Sequence, residues 1–100
     1  MKRQKIDGGG WFNPETAREY KEDTRWDGRN HISKNTGSQW DHEALYRTTK
    51  GAWVLHSWSQ WAGSGESWER IDDDRAVEWL ITNEEEPPKE LSKIAESAEV

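Results

Sequence analysis

The clearest local pattern of hydrophobic and polar positions lies over residues 43–58, where two largely apolar runs flank a polar turn that ends in glycine. Glu43-Ala44-Leu45-Tyr46-Arg47-Thr48 and Ala52-Trp53-Val54-Leu55-His56-Ser57-Trp58 flank Thr49-Lys50-Gly51, an arrangement that predicts a β-hairpin. If Gly51 closes a three-residue loop in a left-handed conformation, Leu45 falls opposite Leu55 and Arg47 opposite Trp53 on one face. Tyr46 then faces Val54, Ala44 faces His56, and His42 faces Trp58. Both faces carry apolar side chains, so each needs a cover or a use.

Upstream, Asn13-Pro14-Glu15 has the order of a helix start, with an Asn cap, Pro at the first helical position and an acid in the first turn. Arg18, Tyr20, Glu22, Thr24 and Trp26, however, alternate with polar partners as in a half-exposed strand that runs to the turn Asp27-Gly28-Arg29-Asn30. A short turn followed by a strand is the preferred reading, with helix as the alternative. Downstream, Ala62-Gly63-Ser64-Gly65-Glu66-Ser67 reads as a loop and Trp68-Glu69-Arg70-Ile71 as a returning strand. Asp72 then opens a helix by capping the amide of Asp74 or Arg75. Ala76, Val77, Leu80 and Ile81 form its expected buried stripe, with Trp79 on the flank and Asn83 as a left-handed stop.

The ends read differently. Residues 1–10 contain Gly8-Gly9-Gly10 and are expected to form a flexible arm. Glu84-Glu85-Glu86-Pro87-Pro88 cannot continue a helix, so one domain over residues 11–83 is expected, followed by an acidic tail over 84–100. Leu91, Ile94, Ala95 and Ala98 keep helical spacing in that tail, which would be helical when docked on a partner or frayed without one.

Composition changes the picture at one point. Leu, Ile, Val and Phe total only thirteen at a net charge of −6, a balance that warns of disorder. Eight tryptophans offset it: burying about 150–250 Å² each stabilises by roughly 4–6 kcal/mol before entropy is subtracted. The absence of cysteine excludes a disulfide framework. No apolar run is long enough for a membrane span, and a cytoplasmic setting is expected. The nine Lys and Arg of residues 11–83 are interleaved with thirteen acids, which argues against nucleic acid as a partner.

Little in the chain points to catalysis. His42 lies between Asp41 and Glu43, but strand alternation turns it away from both, and the hairpin register sets His56 opposite Ala44. Ser57 and Ser59 lack the sharp elbow of a nucleophile, and neither glycine cluster has the setting of a phosphate loop. No cofactor or metal is expected. The tryptophans carry more: alternation puts Trp53 and Trp61 on one side and Trp58 on the other, with Trp40 and Trp68 nearby. At least one must be partly exposed, to anchor a protein or to stack on a sugar or a base. The competing reading is that a chain poor in aliphatic residues uses Trp to fill its core.

The stretch from Asp27-Gly28-Arg29-Asn30-His31-Ile32-Ser33 through Thr36-Gly37-Ser38-Gln39-Trp40, Leu45-Tyr46-Arg47-Thr48 and Trp53-Val54-Leu55-His56-Ser57-Trp58-Ser59-Gln60-Trp61 resembles short uncharacterised bacterial reading frames. The likeness continues to Ala76-Val77-Glu78-Trp79-Leu80 and implies no assigned activity. Small accessory proteins of that kind include partners and regulators such as antitoxins, so an interaction role is what the resemblance implies.

The expected fold is α+β, an antiparallel meander of three to four strands packed on a C-terminal helix between disordered ends. The expected function is that of a non-enzymatic regulatory or accessory protein binding another protein. Trp53, Trp58, Trp61 and Arg47, or Leu91 and Ile94 of the tail, are the candidate contact residues. A Trp surface for a sugar or single-stranded nucleic acid is the alternative.

Overall fold

The computed structural model describes residues 2–61 and 65–100, so the Ala62-Gly63-Ser64 part of the expected loop lies outside the described residues. The fold is α+β. Strands β1 (Gln4–Lys5) and β2 (Trp11–Phe12) form one small hairpin, and β4 (Thr24–Trp26) and β5 (His31–Ser33) form another. The main antiparallel sheet is built from β3 (Arg18–Lys21), β6 (Asp41–Arg47), β7 (Trp53–Ser59) and β8 (Ser67–Ile71), in the order β3-β6-β7-β8. Helices α1 (Asp73–Thr82) and α2 (Ser92–Ser97) follow, the second led in by a single 3-10 turn at Lys89–Leu91.

The β6–β7 hairpin has the expected register, including Leu45 opposite Leu55, Arg47 opposite Trp53 and His42 opposite Trp58. Gly51 makes it possible: its φ of +87° is a left-handed conformation that other residues adopt at a cost. The Thr48 hydroxyl also accepts the amide of Ala52, fixing the loop from within. On one face of the sheet Leu45, Trp53 and Leu55 join Tyr20 and Ile71, and α1 lays Ala76, Val77, Trp79 and Leu80 over them.

Asp72 caps α1 by accepting from the Arg75 amide, one of the two partners expected from the sequence. The buried stripe is rotated from the expected one. Trp79 is buried and Ile81 is about half exposed, because the Trp79 indole donates to Glu43 Oε1 at 3.1 Å and its larger ring buries more surface against the sheet. Asn83 is also not the left-handed residue expected. Its φ is −95° and Glu84 takes the positive value instead. Asn83 ends the helix with its side chain: Nδ2 donates to the Trp79 carbonyl, and Oδ1 accepts the amide of Asp23, both at 2.8 Å. That second bond coincides with the break of the expected single strand over residues 18–26 into β3 and β4. Between these strands Glu22 turns inward to accept from Ser33 Oγ and the Glu43 amide.

Both ends are docked rather than loose. In place of a free arm, residues 4–12 form the β1–β2 hairpin, whose turn uses Gly8, Gly9 and Gly10 at positive φ. Asp7 ties this hairpin to the edge of β8: its amide donates to the Trp68 carbonyl and its carboxylate accepts the Trp68 amide. This occupies part of an edge that would otherwise be open to strand addition. Phe12 is buried against Tyr46 and Trp68, covering part of the second face. Residues 84–100 fold back in the same way, with Leu91 inside the core cluster and Ile94 and Ala95 packed against it. Among the described residues no helix is long and apolar enough to cross a membrane.

Candidate functional site

The tryptophans sort by depth. Trp53 is only 1% exposed and lies in the core beside Tyr20, with the Arg47 guanidinium 4.9 Å above its ring. Arg47 also pairs with Glu90 at 2.6 Å, so Arg47 and Trp53, two of the candidate contact residues, serve packing. Leu91, 6% exposed, is corrected likewise: it is core, with Ile94 half-buried beside it, and neither offers an open contact surface in this arrangement. On the second face of the sheet, His56 stacks on Trp68 with ring centroids 3.6 Å apart and on Trp58 at 4.6 Å. Trp58 is half-buried in that stack.

Trp61 remains at the surface, 60% exposed, and its neighbour is Trp40, 40% exposed, with centroids 5.1 Å apart and planes tilted by 45°. The pair is built by a repeated tripeptide. Ser38-Gln39-Trp40 leads into β6, and Ser59-Gln60-Trp61 leads out of its partner β7. In each, the serine hydroxyl accepts the amide of the tryptophan two residues on, at 3.0 Å from Trp40 and 3.2 Å from Trp61. The Gln60 amide donates to the Trp40 carbonyl, holding the two copies side by side. Sequence reasoning found Trp61 but not its pairing with Trp40; the Ser-Gln-Trp repeat at the two ends of a hairpin is the signal that would have shown it. Trp11 and Trp26 are exposed too, but singly, against Arg3 and His31.

Asp41, which follows Trp40, and Ser59, which opens the second tripeptide, line a cavity of about 410 Å³ with Glu43, Ser57, Trp58 and Glu66, among others. Burial pushes the Glu43 carboxyl above its ordinary range, against the opposing effect of hydrogen bonds from Trp79 and Ser57. The histidines are taken up separately: His42 Nδ1 donates to Glu22 at 2.5 Å, His56 Nε2 meets Glu66 at 2.8 Å, and His31 sits in the β4–β5 hairpin. Among the described residues no three His, Asp or Glu side chains form a group that could hold a metal ion. Comparison with protein-family models, curated proteins and solved structures finds no match to this chain.

Proposed function

We propose that this protein is a non-enzymatic interaction module, a small regulatory or accessory factor that docks another protein on the Trp40–Trp61 end of its sheet. The observation that carries the reading is that this pair is left exposed while its two rings pack on each other over a backbone fixed by serine hydrogen bonds. A lone surface Trp would lose rotamer freedom on binding, whereas two rings packed on each other have already lost part of it. Trp is enriched among the hot spots of protein interfaces, the few residues whose truncation costs about 2 kcal/mol or more. An intracellular setting, suggested by the lack of cysteine, belongs to the same proposal.

The test is capture from a cell lysate by the full chain beside its W40A/W61A and W26A variants, with bound proteins identified by mass. A protein retained by wild type and W26A but lost with W40A/W61A supports the reading; equal retention by all three overturns it. A second reading, a sugar stacked on the pair, draws on the hydroxyl and carboxylate lining of the adjoining cavity. Saturable change of Trp emission with oligosaccharides would favour it over the first.

A further inference from the structure

The surroundings of the Trp pair have a one-sided charge. Residues 35–46 and 51–69, which supply β6 up to its last residue Arg47, β7, both Ser-Gln-Trp copies and most of β8, contain no Lys or Arg and four acids: Asp41, Glu43, Glu66 and Glu69. Of the basic residues elsewhere in the fold, Lys34 pairs with Asp23 and Glu84, Arg47 with Glu90, and Arg75 with Glu69, which takes up one of those four acids. The hydrogen bonds to Glu43 come from neutral donors, Trp79 and Ser57, with Arg75 acting on it through its charge alone. Asp41 follows Trp40 directly, is exposed, and among the described residues its carboxylate makes no ion pair or side-chain hydrogen bond. Asp41, Glu43 and Glu66 line one cavity with Trp58.

Indole faces and carboxylates share one preference, for cations. A guanidinium or ammonium over an exposed indole is attracted by the ring's negative face, and a neighbouring carboxylate adds a charge-assisted hydrogen bond. Arginine suits the combination better than lysine because its planar group stacks on the ring while its fork reaches the carboxylate. Resting on the docking reading above, we propose that the occupant of this surface is a basic segment of a partner protein. Its arginine or lysine side chains lie against Trp40 and Trp61 and reach Asp41 and the acidic cavity beside them. An acidic partner or a nucleic acid backbone would meet like charge here.

The test is selection from a random peptide library displayed on phage against the immobilised full chain, with each selected peptide then measured on wild type, W40A/W61A and D41N/E66Q. The expected result is enrichment of Arg and Lys, loss of binding on W40A/W61A, and about tenfold weaker binding on D41N/E66Q that falls further as salt is added. Peptides that need Trp40 and Trp61 but show no basic enrichment and bind D41N/E66Q normally would overturn the cationic assignment and leave the docking surface standing. Peptides that bind W40A/W61A as well as wild type, or no selected peptides at all, would overturn both. A melting temperature for each variant close to that of wild type establishes that lost binding is not lost folding.

Discussion

Truncating Leu91 to Ala probes whether the last seventeen residues belong to the folded unit. Leu91 is 6% exposed and packs in the cluster that holds Leu45, Trp53 and Leu80. Leu→Ala in a packed core costs about 2–5 kcal/mol, from the lost transfer of the side chain plus the cavity left behind. Leu91 sits on one 3-10 turn at the rim of the core, where the short α2 can settle inward, so the lower end applies, about 2 kcal/mol. Against a total of about 5–15 kcal/mol for a domain of this size, that is a large loss. It corresponds to a fall in Tm of about 8–16 °C. Thermal unfolding followed by far-ultraviolet circular dichroism, with urea unfolding as a second measure, reads it directly. Deleting residues 84–100 removes Ile94 and Ala95 as well and should lower Tm further. E90Q, which removes an ion pair from its exposed carboxylate side and leaves Arg47 packed on Trp53, should lower it little. An L91A variant melting within about 2 °C of wild type would refute the reasoning and restore the C-terminal segment as a separate tail.

Further outcomes follow from the polar contacts. N83A removes both the cap on Trp79 and the acceptor for Asp23; leaving those groups unpaired should cost about 1–3 kcal/mol, read as a lower urea midpoint with an unchanged slope. Glu43 is held above its ordinary value of 4.5, mainly by burial. The native state therefore keeps this proton longer than the unfolded chain, and the group's contribution to stability is full below that value and lost as pH rises through the folded one. E43Q should accordingly raise Tm at neutral pH and converge with wild type in acid; a lower Tm at neutral pH would show that the charged hydrogen bond from Trp79 outweighs burial. Tyr46, pushed up to about 12 by burial and by its hydrogen bond to Glu19, should hold its phenolic proton beyond the usual range. Stability should decline as pH rises from the ordinary value of 10.0 through about 12, and a normal ultraviolet titration of Tyr46 would contradict this.

Much of the fold was legible because local rules and the tertiary arrangement agree. The two runs of β6 and β7, with a three-residue loop closed by Gly51 between them, set the cross-strand register, and Asp72 ahead of Ala76 and Val77 marked the start of α1. What escaped depends on long-range contacts that periodicity does not carry. Asp7 meets Trp68 across sixty-one positions, Asn83 meets Asp23 across sixty, and Arg47 meets Glu90 across forty-three. Each such contact turned an expected loose end or an unbroken strand into something fixed. The choice of Trp79 over Ile81 for the interior also depends on Glu43 waiting on the sheet, which the helical pattern alone does not show. For the site, alternation left Trp53, Trp58 and Trp61 as equal candidates. Depth separates them, and the Ser-Gln-Trp repeat adds Trp40 as the partner of the exposed one.

Eight indole N–H groups, one from each tryptophan, offer the most direct test of the claim that the Trp40–Trp61 end of the sheet is where this protein meets its partner. The measurement is a nitrogen–proton correlation spectrum of the full chain, its indole signals assigned by single Trp→Phe substitutions and titrated with an alternating Arg-Gly peptide. Saturable shifts are expected for Trp40 and Trp61 and smaller ones for Trp58, while the buried Trp53 and Trp79 stay in place. Shifts confined to Trp11 or Trp26, or to the backbone of residues 84–100, would contradict the claim.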